Sequence, residues 1–181
     1  MFDRTSDGRA LKILTVVDEF TREALAVAVG YRMMAVQVMW VLARAFKAGG
    51  WPEYLRSDNG PEFIADLIER WLKERGVVTH HIDPGSPWQN AYGESFNGKL
   101  RAECLDLEVF EGPQEAQRVL EAWRIQYNVS RPHSSLGYRT PDEVKRSWKR
   151  DRKEVSLLTA PGALRASRGE GGQKGKTMVE G

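Results

Sequence analysis

The sequence predicts an α/β fold in which helices cover a mixed β-sheet. Residues 13–17 form an apolar run, interrupted only by Thr15, in which β-branched residues dominate, as is typical of a strand buried on both faces. Apolar residues recur with the helical period in several later segments. Short strand-like segments alternate with these helical ones in the order β, β, α, β, α, β, which favours one sheet with helices packed against it.

The first half of the chain supplies two adjacent strands, a helix and a further strand. Residues 11–18 and 23–29 are the first two predicted strands, and the segment between them is short enough for a hairpin. A helix follows until Gly49-Gly50, on the helical spacing of Met34, Val38, Leu42, Ala45 and Phe46. Residues 54–57 form a short strand that ends in the turn-forming sequence Asp58-Asn59-Gly60-Pro61.

The second half is mainly helical. A helix over 63–72 and a strand over 77–82 precede a loop at 83–87, and a third helix begins near residue 90. A fourth helix carries Ala116, Val119, Leu120, Trp123 and Tyr127. A fifth begins at Thr140-Pro141-Asp142-Glu143, which combines an N-cap, a first-turn proline and a capping-box Glu. From Ser156 onward the chain is rich in Gly and poor in large apolar residues, which predicts a disordered tail over 156–181.

Composition excludes several classes of protein. The 181 residues contain 27 Lys plus Arg and 25 Asp plus Glu, so the net charge of +2 does not identify a nucleic-acid binder and any basic surface must be local. The single cysteine, Cys104, excludes an intramolecular disulfide and a Cys-based zinc site. The first residues lack the apolar stretch of a signal peptide, and no run approaches the roughly 20 apolar residues of a membrane span. We therefore expect a cytoplasmic protein without a membrane partner.

Two carboxylates are candidates for chemistry. Asp58 stands where a strand gives way to a loop, a usual position for ligand contacts, and Glu94 falls in the first turn of the third helix. Helical spacing places Asn97 and Arg101 on the same face as Glu94. Each acid also has a structural interpretation: Glu94 would complement the helix dipole, and Asp58 would belong to a turn.

Four separated motifs resemble one known family. They are Leu14-Thr15-Val16-Val17-Asp18-Glu19-Phe20-Thr21-Arg22-Glu23, Arg56-Ser57-Asp58-Asn59-Gly60-Pro61-Glu62-Phe63, Ser86-Pro87-Trp88-Gln89-Asn90 running into the helix of Glu94, and Tyr127-Asn128 before Arg131-Pro132-His133. They resemble the integrase catalytic core of bacterial insertion-sequence transposases, which is related to retroviral integrases, over about residues 2–147. The 35 residues between Asp58 and Glu94 match the family's spacing between its second and third catalytic carboxylates.

The resemblance implies a ribonuclease-H-like fold and a triad of two Asp and one Glu that holds two divalent metals. Asp58 and Glu94 would be catalytic residues and ligands of Mg²⁺ or Mn²⁺. Two metals about 3.5–4 Å apart activate the nucleophile of phosphodiester chemistry and stabilise charge on phosphorus. Hard Mg²⁺ prefers oxygen ligands, so carboxylates suit this site better than His or Cys.

The sequence departs from the family at its beginning. Aligned on the family pattern, the first catalytic Asp would lie two residues before Met1, and most of the first strand would be missing. We expect an N-terminally truncated reading frame, with the catalytic core over 1–110, a helical extension over 111–155 and the disordered tail. Two functions stay open: a core for DNA strand cleavage and strand transfer, or an inactive, truncated DNA-binding remnant of such a transposase.

The resemblance implies that the partners are DNA, as transposon ends and target, and further copies of the chain on that DNA. Near Glu94 the expected DNA contacts are Asn97, Lys99 and Arg101. The fifth helix adds a basic cluster, Lys145, Arg146, Lys149 and Arg150. Such side chains give affinity and salt dependence through phosphates without reading sequence. The alternative for the cluster is a solvated helix face with internal ion pairs.

Overall fold

The computed structural model describes residues 1–47, 49–57, 66–82, 91–158 and 176–180, with the backbone alone beyond residue 151. The strands are β1 (Phe2–Arg4), β2 (Ala10–Asp18), β3 (Ala24–Gly30), β4 (Tyr54–Ser57), β5 (Val78–His81) and β6 (Lys176–Glu180). The helices are α1 (Ala35–Lys47), α2 (Asp66–Lys73), α3 (Ala91–Glu103), α4 (Pro113–Ser130) and α5 (Pro141–Leu158).

A single mixed sheet organises the described residues, as the sequence predicts. β3 pairs antiparallel with one edge of β2. On the other edge of β2, β1 pairs with the first half of the strand and β6 with the second half, both antiparallel. β4 then pairs parallel with β6 and with β5, which completes the sheet.

Helices cover both faces of this sheet, and β2 contributes to both layers. Leu14 and Val16 join a buried cluster with residues of α1 and α2, including Val38, Leu42, Ile68 and Leu72. Leu11, Ile13 and Val17 join the opposite cluster with residues of α3 and α4, including Phe96, Leu100 and Leu120. Because side chains alternate across a strand, burial on both faces explains the continuous apolar run in β2.

Helix α4 closes the free edge of β3 with side-chain amides. Asn128 accepts a hydrogen bond from the Ala24 N–H (2.8 Å) and donates to the Ala24 carbonyl (3.0 Å). Gln117 does the same with the Val29 N–H (2.9 Å) and the Val27 carbonyl (2.9 Å). An edge strand whose backbone groups are already bonded cannot recruit another strand. The predicted helical extension therefore shares the core of residues 1–110 and protects its sheet.

The structure differs from the expected disorder of residues 156–181 in two places. Helix α5 continues to Leu158, and residues 176–180 form β6 inside the sheet. Composition argued against structure there because the segment has little apolar surface to bury. Backbone hydrogen bonds to two neighbouring strands order β6 instead, and these bonds leave no signal in composition.

Among the described helices, none combines the length and the apolar character that crossing a bilayer requires.

Candidate functional site

Glu94 stands exposed in the first turn of α3. Within the described part of the chain, no side chain or backbone group is hydrogen-bonded to its carboxylate. The first turn of a helix favours a negative charge, so the position keeps a carboxylate available at the surface. Glu94 is thus placed to accept a cation or to serve only the helix dipole.

A hydrogen bond from a buried threonine to a half-buried asparagine fixes α3 above the sheet. Thr15 lies in the middle of β2 with a relative exposure of 2%, and its Oγ1 donates to Asn97 Oδ1 at 3.1 Å. Asn97 follows Glu94 by three residues, so the two lie on neighbouring positions of one helix face. The expected DNA contact at Asn97 is therefore engaged with the protein itself, and this contact positions the helix that carries Glu94.

The end of β4 lies close to the part of the sheet where α3 is attached. Ser57, its last residue, is paired with Val179, which in turn is opposite Val16. Thr15, which is bonded to Asn97 of α3, is the residue next to Val16 on β2. Asp58 follows Ser57 in the sequence but lies outside the described residues.

The described residues provide only part of a metal site. Among them, no three His, Cys, Asp or Glu side chains come together in a group that could hold a metal ion. Glu94 offers carboxylate oxygens, the donors that Mg²⁺ prefers, so the chemistry of this residue fits the expected ion.

Two further predicted DNA contacts on α3 have protein partners. Lys99 donates to Ser95 Oγ at 2.7 Å, and burial together with the charge of Arg131 lowers its pKa below the ordinary lysine value. Arg101 pairs with Asp106 at 3.4 Å and donates to the Phe2 carbonyl at 2.6 Å. Arg101 thus ties α3 to the first strand of the sheet.

A cationic cluster beside α3 was not predicted from the sequence. Arg22 stacks over the Tyr92 ring at 3.6 Å, and Arg131 forms an ion pair with Glu103. Burial, with the charges of Lys99, Arg131 and Arg22, lowers the pKa of His133 to about 4 and so keeps this imidazole neutral. The sequence analysis identified the Arg131-Pro132-His133 motif, but the sequence alone could not show that Arg22 lies near it in the fold.

The basic residues of α5 divide into two groups. Lys145 pairs with Glu23 in the chain after β2, and Arg146 pairs with Asp142 one turn earlier. Lys149 and Arg150 are exposed, and no ion pair within the described residues involves either. Internal pairing, the alternative weighed above, thus describes the first two residues, whereas the second two present free positive charge.

Comparison with known proteins gives this architecture a family. A family model described as an integrase core domain matches residues 1–87, and a second model with the same description matches residues 75–141. The insertion element IS407 uncharacterized 31.7 kDa protein of Burkholderia multivorans is 44% identical over 143 residues, which are 79% of this chain and 52% of that protein. The insertion element IS476 uncharacterized 39.2 kDa protein of Xanthomonas euvesicatoria is 39% identical over 162 residues, 90% of this chain and 47% of that protein.

The chain therefore spans about half the length of these curated relatives. Among solved structures, the HTLV-2 integrase catalytic core domain in complex with magnesium (trimeric form) superposes with a TM-score of 0.59 at 13% identity. The match covers 79% of this chain and 89% of that one, and it shows a shared ribonuclease-H-like fold. Two overlapping family models, relatives from insertion elements and the sheet described above agree, and the chain belongs to the integrase core domain family of insertion-sequence transposases.

Proposed function

We propose that this chain is the catalytic core of a DNA transposase, which carries out metal-dependent strand cleavage and strand transfer. The observation that carries this proposal is the Thr15–Asn97 hydrogen bond. It holds the helix of Glu94 over the part of the sheet that is next to the end of β4. Asp58 follows β4 in the sequence. The bond thus supports a site built from the sheet and α3 together.

Asp58 and Glu94 would hold divalent cations, Mg²⁺ or Mn²⁺, as two of the three carboxylates of the two-metal site that the resemblance implies for the full-length protein. When bound, such cations supply an activated water or 3′-hydroxyl and stabilise the charge that develops on phosphorus. The protein's part is to position its carboxylates and to bind the polynucleotide. Asn97 and Arg101 contribute by fixing α3 to β2 and β1 through the contacts described above.

The proposed partner is DNA, both as transposon ends and as target. Lys149 and Arg150 offer exposed charge on α5, whereas Lys99 and Arg131 have protein partners, Ser95 and Glu103, with which a DNA phosphate would have to compete. These contacts would add affinity without selecting a sequence. We also propose that several copies of the chain act together on DNA, because transposition joins two ends.

Metal binding can be measured without activity, by thermal unfolding in the presence of Mg²⁺ or Mn²⁺. A ligand at 100 times its Kd stabilises a protein by about 2.7 kcal/mol, which raises the Tm of a chain of this size by about 5–10 °C. We expect this rise in the unaltered chain and its loss in Asp58→Asn and Glu94→Gln. Glu108→Gln, an exposed acid beyond α3, is the matched control and should keep the rise.

The reaction itself is tested with a labelled insertion-element end and Mn²⁺. Nicking that disappears in Glu94→Gln but persists in Glu108→Gln supports the proposal. DNA binding without nicking, combined with no thermal response to either metal, contradicts catalysis and supports the inactive DNA-binding remnant.

A further inference from the structure

The cationic cluster beside α3 brings together side chains from three separate parts of the chain. They come from the turn between β2 and β3, from α3 and from the segment that follows α4: Arg22, Lys99, Arg131 and His133. The charges of the first three all act on the imidazole of His133, so the four groups lie close together in the fold. The proposed metal site uses none of them.

The cluster lies on a flank of α3 that is turned away from Glu94. Tyr92, which stacks under the Arg22 guanidinium, and Lys99 are seven residues apart, so they occupy one flank of the helix. That flank is about 140–160° around the helix axis from Glu94. The cluster is therefore separate from the carboxylate that is proposed to bind metal.

Positive charge in the cluster exceeds negative charge. Arg131 has the carboxylate of Glu103 as a partner. The partners of Lys99 and Arg22 are a hydroxyl, backbone carbonyls and an aromatic ring, all of which are neutral. In the part of the chain that the structure describes, no ion pair involves either of these two cations. Three cations thus share one carboxylate, and such unbalanced positive charge attracts anions.

Two buried nitrogen atoms of the cluster lack hydrogen-bond partners. His133 has a relative exposure of 9%, and its Nε2 is enclosed without a bond to any described group. Arg22 Nε, a donor, is also enclosed without a partner. Lys and Arg side chains carry donors and no acceptor, so the cations cannot satisfy a donor from within the cluster. What the cluster lacks is a group with acceptor oxygens.

The cluster is open to solvent at its surface. The Arg131 side chain is 31% exposed and Tyr92 is 44% exposed, so a ligand can approach the guanidinium groups from outside. Arg22 has a φ of 61°, in the left-handed region that is unfavourable for a residue with a long side chain. An arginine at this turn position fits a role for its side chain rather than for the turn.

We propose that the cationic cluster is a binding site for a phosphate group, held by Arg22, Lys99 and Arg131. Guanidinium groups bind phosphate oxygens through paired hydrogen bonds, and a lysine adds a point charge. The assignment of this phosphate to a DNA backbone rests on the proposed function, whereas the site itself does not. Because the site is turned away from Glu94, a strand bound there presents a phosphate other than the reacting one.

Titration of the full chain with inorganic phosphate, in the absence of metal, tests the site. In NMR spectra at neutral pH, phosphate should shift the side-chain signals of Arg22, Arg131 and His133 until they saturate. Sodium chloride at equal ionic strength is the control for screening, and the signals of His80 and His81 in β5 are the internal reference. Equal shifts with chloride, or shifts that never saturate, would overturn the proposal.

Two variants and a matched control identify the residues that bind. Arg22→Gln and Arg131→Gln should each weaken phosphate binding about tenfold, because each removes hydrogen bonds between charged groups. Lys73→Gln removes an exposed cation from α2, on the other face of the sheet, and should leave the affinity unchanged. Unchanged affinity in both arginine variants contradicts the site. If a variant does not fold, as judged by circular dichroism, the titration of the unaltered chain still decides the question.

The titration of His133 gives a second measurement. A bound anion favours the protonated imidazole, so sulfate, a stable phosphate analogue, should raise the pKa of His133 above about 4. Sodium chloride at equal ionic strength should raise it less. An equal effect of the two salts would contradict a bound anion beside this residue.

A short DNA duplex, added without metal, distinguishes the two sources of phosphate. Shifts of the same signals identify a backbone phosphate as the ligand, and shifts with inorganic phosphate alone identify a free phosphate. No shift with either overturns the proposal. Because metal is absent, these results do not depend on strand cleavage: phosphate binding by a chain that never nicks DNA would refute the proposed function and leave the site standing.

Discussion

The amide of Asn128 offers a sharp test of how α4 is attached to the sheet. Asn128→Ala removes the acceptor of the Ala24 N–H, and Ala24 is fully buried. Leaving that donor unpaired costs about 1–3 kcal/mol. The Ala24 carbonyl loses one bond but keeps another, from Arg124 Nη1 at 2.7 Å, so this part costs about 1 kcal/mol. The free energy of unfolding should therefore fall by about 2–4 kcal/mol.

Urea denaturation followed by circular dichroism measures this change, and the Tm should fall by about 5–15 °C. Gln117→Ala is the matched control. It breaks an equivalent pair of amide–backbone contacts at a half-buried site, where water can replace the lost partner. The free energy of unfolding should therefore fall by only about 1 kcal/mol.

A double-mutant cycle separates the two groups of Ala24. Arg124→Ala together with Asn128→Ala leaves the carbonyl without either donor, so the combined loss should exceed the sum of the single losses by about 1 kcal/mol. The reasoning fails if Asn128→Ala costs less than about 0.5 kcal/mol, or no more than Gln117→Ala.

Two further predictions concern charge. The pKa of His133 is about 4 in the folded chain, below its ordinary 6.5, so the unfolded chain binds a proton more readily and stability falls as the pH drops from 6.5 to 4. Relative to His133→Gln, the unaltered chain should lose up to about 3 kcal/mol over this range in denaturation at several pH values, and parallel curves would refute the assignment. The logarithm of the DNA-binding constant falls linearly with the logarithm of the salt concentration, and each phosphate contact contributes about 0.9 to the steepness of this slope. Replacing Lys149 and Arg150 with Ala should therefore make the slope less steep by about 1–2. The paired residues Lys145 and Arg146 should contribute less, and equal effects of the two double variants would contradict this division.

Local patterns in the sequence predicted most of the fold. The apolar run of Ile13–Val17 identified the central strand because both faces of β2 are covered. The capping box at α5 forms as predicted: Glu143 accepts from the Thr140 N–H at 2.8 Å, and its own N–H donates to Thr140 Oγ1 at 3.3 Å. Both features are formed by residues that are close together in the sequence, so a local pattern is enough to predict them.

Contacts between distant segments were beyond such reasoning. β6 is ordered by backbone pairing with β2 and β4, two strands that are far from it in the sequence. The ion pair of Lys145 with Glu23 removes a predicted DNA contact, yet the two residues are 122 positions apart. Counting the basic residues of a helix such as α5 therefore overestimates how many of them are available to bind DNA.

The candidate site shows the same division. Helical periodicity placed Asn97 beside Glu94, but its bond to Thr15, 82 positions away, changes its expected role from DNA contact to anchor. The assignment of Asp58 depends on the family resemblance and stays a prediction, because that residue lies outside the described part of the chain.

The pairing of β6 with β2 has a consequence for the order of folding. Val16 lies opposite Val179, which is 163 positions away in the sequence, whereas β2 and β3 are neighbours along the chain. Contacts between distant segments form slowly, because closing a long loop costs conformational entropy before the contact is made. The pairing of β2 with β3 should therefore form early, and the pairing of β2 with β6 late.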